Sequence, residues 1–417
     1  MVVAMQVLTS LSSEEILQEL RLVGYKNVGD ASLVPSSSTE PLNVMSLIIE
    51  RLSLLGIGEG KLDSGRETAI GRIPVVSKNG IPLMPCRPTK ARKLLEQGKA
   101  IKKRNKLGIF YLQLEFDPND PVTQLLAIGI DPGTKFEGFS VVGTEDTILN
   151  LMSKAVDWVK KAVAQRKVMR RARRYRKTRR RKCKENRRHN ETFLPPSTKA
   201  RWDAKLRLVR QLCKILPLQY AVSEDVKATT RKNQRGWNRN FSPLEVGKHY
   251  FYAELEKLGL IVITMQGHET KHLREAFGLK KSPNKSKVAF ETHCVDAWVL
   301  AAAITGAKSP TTTSLYYVEP IRFHRRALHR LQFSKGGIRK RYGGTISLGL
   351  KRGTLICHKT HGLCYVGGNL NNRLSLHCVR TGKRLTQSGK KEDCHILTRI
   401  SFRTQFLSPV NRGVSLR

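Results

Sequence analysis

The apolar residues of this chain come in short runs rather than long stripes. The sharpest, Leu125-Leu-Ala-Ile-Gly-Ile130, ends on the carboxylate of Asp131 and the turn Pro132-Gly133-Thr134. A short apolar run bounded by turn residues predicts a buried strand, and residues 138–142 predict another. Upstream, residues 74–80 read as a strand and turn, 90–98 as a basic helix and 108–116 as a strand. Downstream, residues 220–225 and 259–265 read as strands, and 290–303, rich in Ala, Val and Leu, as a helix. Beyond Pro310 the pattern turns to short strands separated by glycine turns such as Gly343-Gly344, Arg352-Gly353 and Gly367-Gly368. Residues 11–22 and 42–55 have helical apolar spacing on either side of a Ser- and Pro-containing stretch, 35–41.

At 417 residues the chain exceeds what a single core usually serves, so about two to four domains are expected. Charge sharpens this picture. Lys and Arg number 76 against 33 acids, a formal net charge of +43, and a charge of that size seeks polyanions. It is unevenly spread. Residues 1–70 hold nine acids and five bases, whereas fifteen of the 23 residues from Arg166 to Arg188 are Lys or Arg and only Glu185 is acidic. A solvated charged helix face mixes both signs. One-signed arginines suit a rod lying along phosphates, because each guanidinium can fork onto phosphate oxygens. The segment from 310 to the end holds 21 bases and three acids.

No run of 18 apolar residues occurs, and Met1–Ser10 lacks the basic start of a signal peptide, so a soluble cytoplasmic protein without a membrane partner is expected. Eight cysteines include no Cys-x-x-Cys pair, which signals neither a disulfide framework nor a zinc ribbon. The spacing of Cys357, His358, His361 and Cys364 matches no finger.

Four residues form a constellation able to do chemistry: Asp131 and Glu224 at strand ends, and His293 with Asp296 on a predicted helix. The last two, three apart, share a helix face that continues through Ala297 and Leu300. Hard carboxylate oxygens suit Mg²⁺, and a pair of such ions about 4 Å apart can activate water and stabilise the leaving oxygen of a phosphodiester.

Taken in order, these pieces resemble a split RuvC domain, specifically that of the IscB and IsrB proteins, transposon-associated ancestors of the CRISPR type II effectors. The matching residues are Pro82-Leu-Met-Pro85 of the PLMP domain, Gly129-Ile-Asp-Pro-Gly-Thr134 for the first RuvC motif, and the arginine-rich bridge helix. Val222-Ser-Glu-Asp225 stands for the second motif and His293-Cys-Val-Asp-Ala297 for the third. Only 65 residues separate Asp225 from Glu291, too few for the HNH nuclease that IscB carries there, so the IsrB pattern fits better.

The resemblance implies an α/β protein with an RNase H-like mixed sheet, split by the bridge helix and joined to a small PLMP domain and a basic β-rich C-terminal domain. The implied boundaries are 1–71 for an extension outside the resemblance, 72–120 for PLMP and 121–152 for the first RuvC part. The bridge helix would take 153–192, the remaining RuvC parts 193–308, and the C-terminal domain 309–417. Asp131, Glu224 and Asp296 would ligate Mg²⁺, as two ions, with His293 assisting; Asp225 replaces Glu224 if the register shifts by one. Nucleic acid would be gripped by Arg170, Arg171, Arg173, Arg174, Arg176, Lys177, Arg179, Arg180 and Arg181, and by Arg339, Lys340 and Arg341. The implied partners are a structured guide (omega) RNA and a double-stranded DNA target with an adjacent motif, bound by a monomer in a prokaryotic cytoplasmic ribonucleoprotein. The activity implied is nicking of the non-target strand. A RuvC-like junction resolvase and a non-catalytic RNA-binding protein are the alternatives.

Overall fold

The computed structural model describes residues 72–156, 158–175, 194, 196–225, 243–321, 331–332, 337–338 and 346–408, all within one compact unit, Ile57–Arg417. The helices read at 11–22 and 42–55 and the turn Gly343-Gly344 lie outside the described residues.

The chain first builds a four-stranded sheet from β1 (Ile73–Val76), β2 (Pro82–Cys86), β3 (Ala100–Arg104) and β4 (Phe110–Leu114), in the order β2-β1-β4-β3. Helix α1 (Pro88–Glu96) starts on a proline, whose missing N–H costs nothing there. Pro82 and Pro85 sit on β2, an edge strand, where a proline forfeits little of the hydrogen-bond ladder. Val75, Leu83, Ala91, Leu112 and Leu114 form a small core under this sheet.

The central sheet then begins as a meander, β5 (Leu126–Asp131), β6 (Phe136–Gly143) and β7 (Thr147–Lys154), each antiparallel to the one before. Helices α2 (Trp158–Tyr175) and α3 (Pro196–Cys213) follow. Next β8 (Tyr220–Asp225) lies parallel to β5, α4 (Pro243–Glu256) crosses over, and β9 (Ile261–Gln266) lies parallel to β8. Helix α5 (Gly267–Ala276), a π-helical turn (Phe290–Cys294) and α6 (Val295–Thr305) precede β10 (Leu315–Pro320), which adds in parallel to β7. The order is completed by β20 (Phe402–Leu407), antiparallel to β10, giving β20-β10-β7-β6-β5-β8-β9. The chain is therefore α/β with a mixed sheet between helical layers. Two of its strands come from the segment beyond residue 309.

Strand alternation sends Ile128, Ile130 and Phe139 to a large core shared with Trp202, Leu206, Val209 and Leu212 of α3 and Phe251 of α4. Gly129 and Gly138 face the other way, toward α6 and the π-turn. A Cβ on Gly129 would fall 1.7 Å from the carbonyl oxygen of Ala297, and one on Gly138 would fall 2.2 Å from that of His293. Helix and sheet thus meet backbone to backbone, which fixes the height of α6 above the strands.

Three differences from the sequence-based expectations have physical causes. The expected helix over 290–303 opens as a π-turn and becomes α-helical only at Val295, and its α-helical part is buried from Val295 to Ala302, so it has no single core-facing stripe. Strand β7 escapes the apolar-run criterion because Asn150 and Ser153 are buried in it. Asn150 Nδ2 donates to the carbonyls of Thr312 and Ser314, and its Oδ1 accepts from Ser140, so the polar side chain is satisfied inside. Gly367-Gly368, expected as a turn, lies inside β16 (Gly362–Leu370), where the pairing shifts register between Val366 and Gly368, because glycines within a strand also serve a bulge.

In the C-terminal region two short antiparallel pairs come first, β11 (Leu331–Gln332) with β12 (Gly337–Ile338) and β13 (Ile346–Ser347) with β14 (Leu350–Lys351). A five-stranded antiparallel sheet follows, made of β15 (Thr354–His358), β16 (Gly362–Leu370), β17 (Arg373–Cys378), β18 (Arg384–Gly389) and β19 (Cys394–Arg399), ordered β18-β17-β16-β15-β19. Ile356, Cys364, Val366, Leu374 and Leu376 are its core.

Candidate active site

Asp131 is the last residue of β5, and Glu224 is the last but one of β8. The parallel register aligns Ile130 with Ser223, so the two carboxylates leave neighbouring strand ends side by side. Asp131 is 6% exposed and Glu224 half-buried. Asp296 enters from the first turn of α6, 2% exposed. Burial, then the negative charges of Asp131 and Asp296, push the Glu224 carboxyl up to about 7, while Lys281 pulls the other way. The three acids therefore share one electrostatic site.

His293, in the π-turn, meets an acceptor at each ring nitrogen. Its Nδ1 lies 3.0 Å from Asp131 Oδ2 and its Nε2 3.2 Å from the carbonyl oxygen of Lys285. The ring is held edge-on to the first carboxylate. Asp296, by contrast, does not touch His293 in this way: Arg274 Nη1 donates to its Oδ1 at 2.5 Å and Lys281 Nζ to its Oδ2.

Asp225 points the opposite way from Glu224, as adjacent strand residues must. Its Oδ1 accepts from Lys248 Nζ at 2.6 Å and from Tyr252 at 3.4 Å, and its Oδ2 from Gln266 at 3.3 Å. Burial opposes ionisation of this carboxyl, but Lys248, Gln266 and Tyr252 outweigh it and hold the group below the usual carboxylate range. Asp225 anchors α4 to the sheet, and Glu224 is the acid that joins Asp131.

Two members of the site went unread in the sequence. Arg274 lies on α5 among other charged residues, and Lys281 follows Lys280 in a polar stretch before Pro283. No spacing marks either; only folding of residues 277–289 brings them to Asp296.

The donor chemistry suits a hard cation, since three carboxylates feel one another's charge and an ammonium lies against one of them. Among the described residues, however, no three His, Cys, Asp or Glu side chains are arranged to hold a metal ion, and both oxygens of Asp296 are engaged by cations. The same statement covers Cys357, His358, His361 and Cys364, which lie on and between β15 and β16.

Of the expected nucleic-acid contacts, Arg170, Arg171 and Arg174 stand exposed on α2, and Arg173 lies in the same helix. Arg176, Lys177, Arg179, Arg180, Arg181, Arg339, Lys340 and Arg341 lie outside the described residues. No described helix is long and apolar enough to cross a membrane.

Fold and site together define a class: an α/β protein whose mixed sheet presents clustered carboxylates at neighbouring strand ends. A family model described as "RRXRR protein" matches residues 73–240. No curated protein matches the sequence. Among solved structures, the chain is similar to Thermus thermophilus RuvC bound to a Holliday junction substrate, at 15% identity over 43% of this chain and 92% of that one, with a TM-score of 0.24. A second T. thermophilus RuvC structure matches at 16% identity over 43% and 92%, TM-score 0.22. The yeast mitochondrial Holliday junction resolvase Ydc2 matches at 13% identity over 45% and 80%, TM-score 0.24.

Proposed function

We propose that this protein is an RNA-guided DNA endonuclease of the IsrB type, whose single RuvC-like site nicks the non-target strand. The observation that carries the reading is the meeting of Asp131, Glu224 and Asp296, residues far apart in the chain, in one electrostatic site with His293 hydrogen-bonded to Asp131. Two further features support it. The RRXRR match runs through four of the five sequence signatures, from the PLMP segment to the second RuvC motif. The net charge of +43 suits a chain that holds both a guide RNA and its DNA target.

In this reading Asp131, Glu224 and Asp296 would hold Mg²⁺, which would supply an activated water and a counter-charge for the leaving oxygen. The chain's own part is positional. His293 orients Asp131, the strand ends set the spacing of Asp131 and Glu224, and α6 brings Asp296 to them. Pairing of the guide with one strand frees the other, and a flexible single strand is the one that a lone acidic cleft can receive. The protein would work as a monomer in a ribonucleoprotein in the prokaryotic cytoplasm.

The test is to purify the protein with RNA from its own locus, sequence that RNA, and offer a matching duplex with each strand separately labelled in Mg²⁺. A discrete locus-encoded RNA and cleavage confined to the non-target strand are expected. Asp131→Ala should abolish cleavage and leave RNA binding intact, because it removes a ligand without touching the basic surface. Guide-independent cutting of four-way junctions would instead favour a resolvase, and heterogeneous bound RNA without cleavage an RNA-binding protein.

A further inference from the structure

Residues 277–289, which join α5 to the π-turn, reach into the carboxylate site twice. The backbone carbonyl of Lys285 lies 3.2 Å from His293 Nε2, and the side chain of Lys281 ends on Asp296 Oδ2. Lys281 is the more consequential of the two. Burial works against its charge, yet Asp131, Asp296 and Glu224 all hold the ammonium above the ordinary lysine range.

That arrangement sets two cations in competition with a divalent cation for the same carboxylate. Asp296 has two carboxylate oxygens, and Arg274 and Lys281 take one each. The Lys281 side chain remains 28% exposed, against 3% for Asp296, so it has a path outward that the buried acid lacks.

We propose that Lys281 is a resident counter-ion of this site, which neutralises the carboxylates before a divalent cation arrives and must withdraw from Asp296 for the cation to bind. Metal loading then becomes coupled to movement of residues 277–289. The inference rests on the proposed cation-binding role of Asp131, Glu224 and Asp296.

Two opposite outcomes separate this role from that of a structural prop. Mn²⁺ would be titrated calorimetrically into the full-length chain freed of nucleic acid, with folding of each variant checked by circular dichroism. If Lys281 competes with the metal, Lys281→Gln should bind Mn²⁺ several-fold more tightly than the unaltered protein, and Lys281→Arg, which keeps the charge, should stay near it. If Lys281 only props Asp296 in place, Lys281→Gln binds Mn²⁺ equally or more weakly, and the proposal is overturned. Asp131→Ala in both backgrounds guards the underlying reading: Mn²⁺ binding that survives it would mean that the carboxylates are not the site at all. A second measurement needs no substitution. Reductive methylation of the unaltered protein, read by mass spectrometry at Lys281 and normalised to exposed Lys257, should increase at Lys281 when Mn²⁺ is added. No change, or greater protection, would also overturn the proposal.

Discussion

Glu224 and Asp225 are consecutive carboxylates with opposite surroundings. Glu224 faces Asp131 and Asp296 and is driven toward its neutral form, whereas Asp225 is held ionised by Lys248. Strand periodicity dictates that the two point to opposite faces, but not which face is the site, so the sequence alone left both open. Lys248 also bonds Glu245 at 2.7 Å and is buried. Replacing it with Met is expected to destabilise the fold by about 2–4 kcal/mol, because the partly buried Asp225 loses its cation. The sign of the pH dependence follows from Asp225. Its folded value lies below the unfolded one, so its contribution is present above about pH 3.9 and is lost as the pH falls through the folded value. Urea melts of Lys248→Met and the unaltered protein should therefore differ most near neutrality and converge in acid; a gap that widens in acid would contradict this assignment.

At the scale of elements, the seating of α6 on the sheet decides the site. The carbonyl of Ala297 lies where a Cβ on Gly129 would be, and Asp296 is the residue just before it. Gly129→Ala must lift the helix or bend β5, since backbone on both sides leaves no flexible side chain to yield. The expected cost is about 3 kcal/mol, at the upper end of overpacking effects. Denaturant melts would measure it, and under the proposed function any nicking should fall together with stability because Asp296 and His293 ride on the displaced segment. A variant as stable as the original would show that the helix is not seated as described. The glycine itself was visible in the sequence as part of the first motif. Its reason was not, because the atom it avoids belongs to a residue 168 positions away.

Across the whole molecule the dominant quantity is charge. Helix α2 offers Arg170, Arg171 and Arg174 to solvent with no acidic residue in its first turn. Every phosphate that a protein ceases to neutralise lowers the slope of log affinity against log salt by about 0.7–0.9. Under the proposed function, changing all three arginines to Ala should therefore weaken RNA binding and reduce the slope by about 2–3, as read from filter binding at several salt concentrations. An unchanged slope would mean that this part of α2 faces away from RNA. The cleavage site should be untouched when the triple variant is saturated with guide, since none of the three touches Asp131, Glu224 or Asp296.

Local chemistry was legible in the sequence wherever it is local in the chain. The buried strand ending at Asp131, the strand at 220–225 and the turn at Arg352-Gly353 depend on nearest neighbours, and a period of two or a turn residue records them directly. The ordering of motifs even pointed to the acids that would meet. What required tertiary structure was everything set by the meeting of distant segments. The pairing of Asp225 with Lys248 depends on where α4 crosses. The burial of Asn150 in β7 depends on carbonyls more than 160 residues on. The placing of Arg274 and Lys281 on Asp296 depends on how α5 packs against α6 and how residues 277–289 connect them. A sequence pattern records which face of an element is apolar; it does not record which cation will end up opposite a buried carboxylate, because that is settled by the packing of the elements against one another.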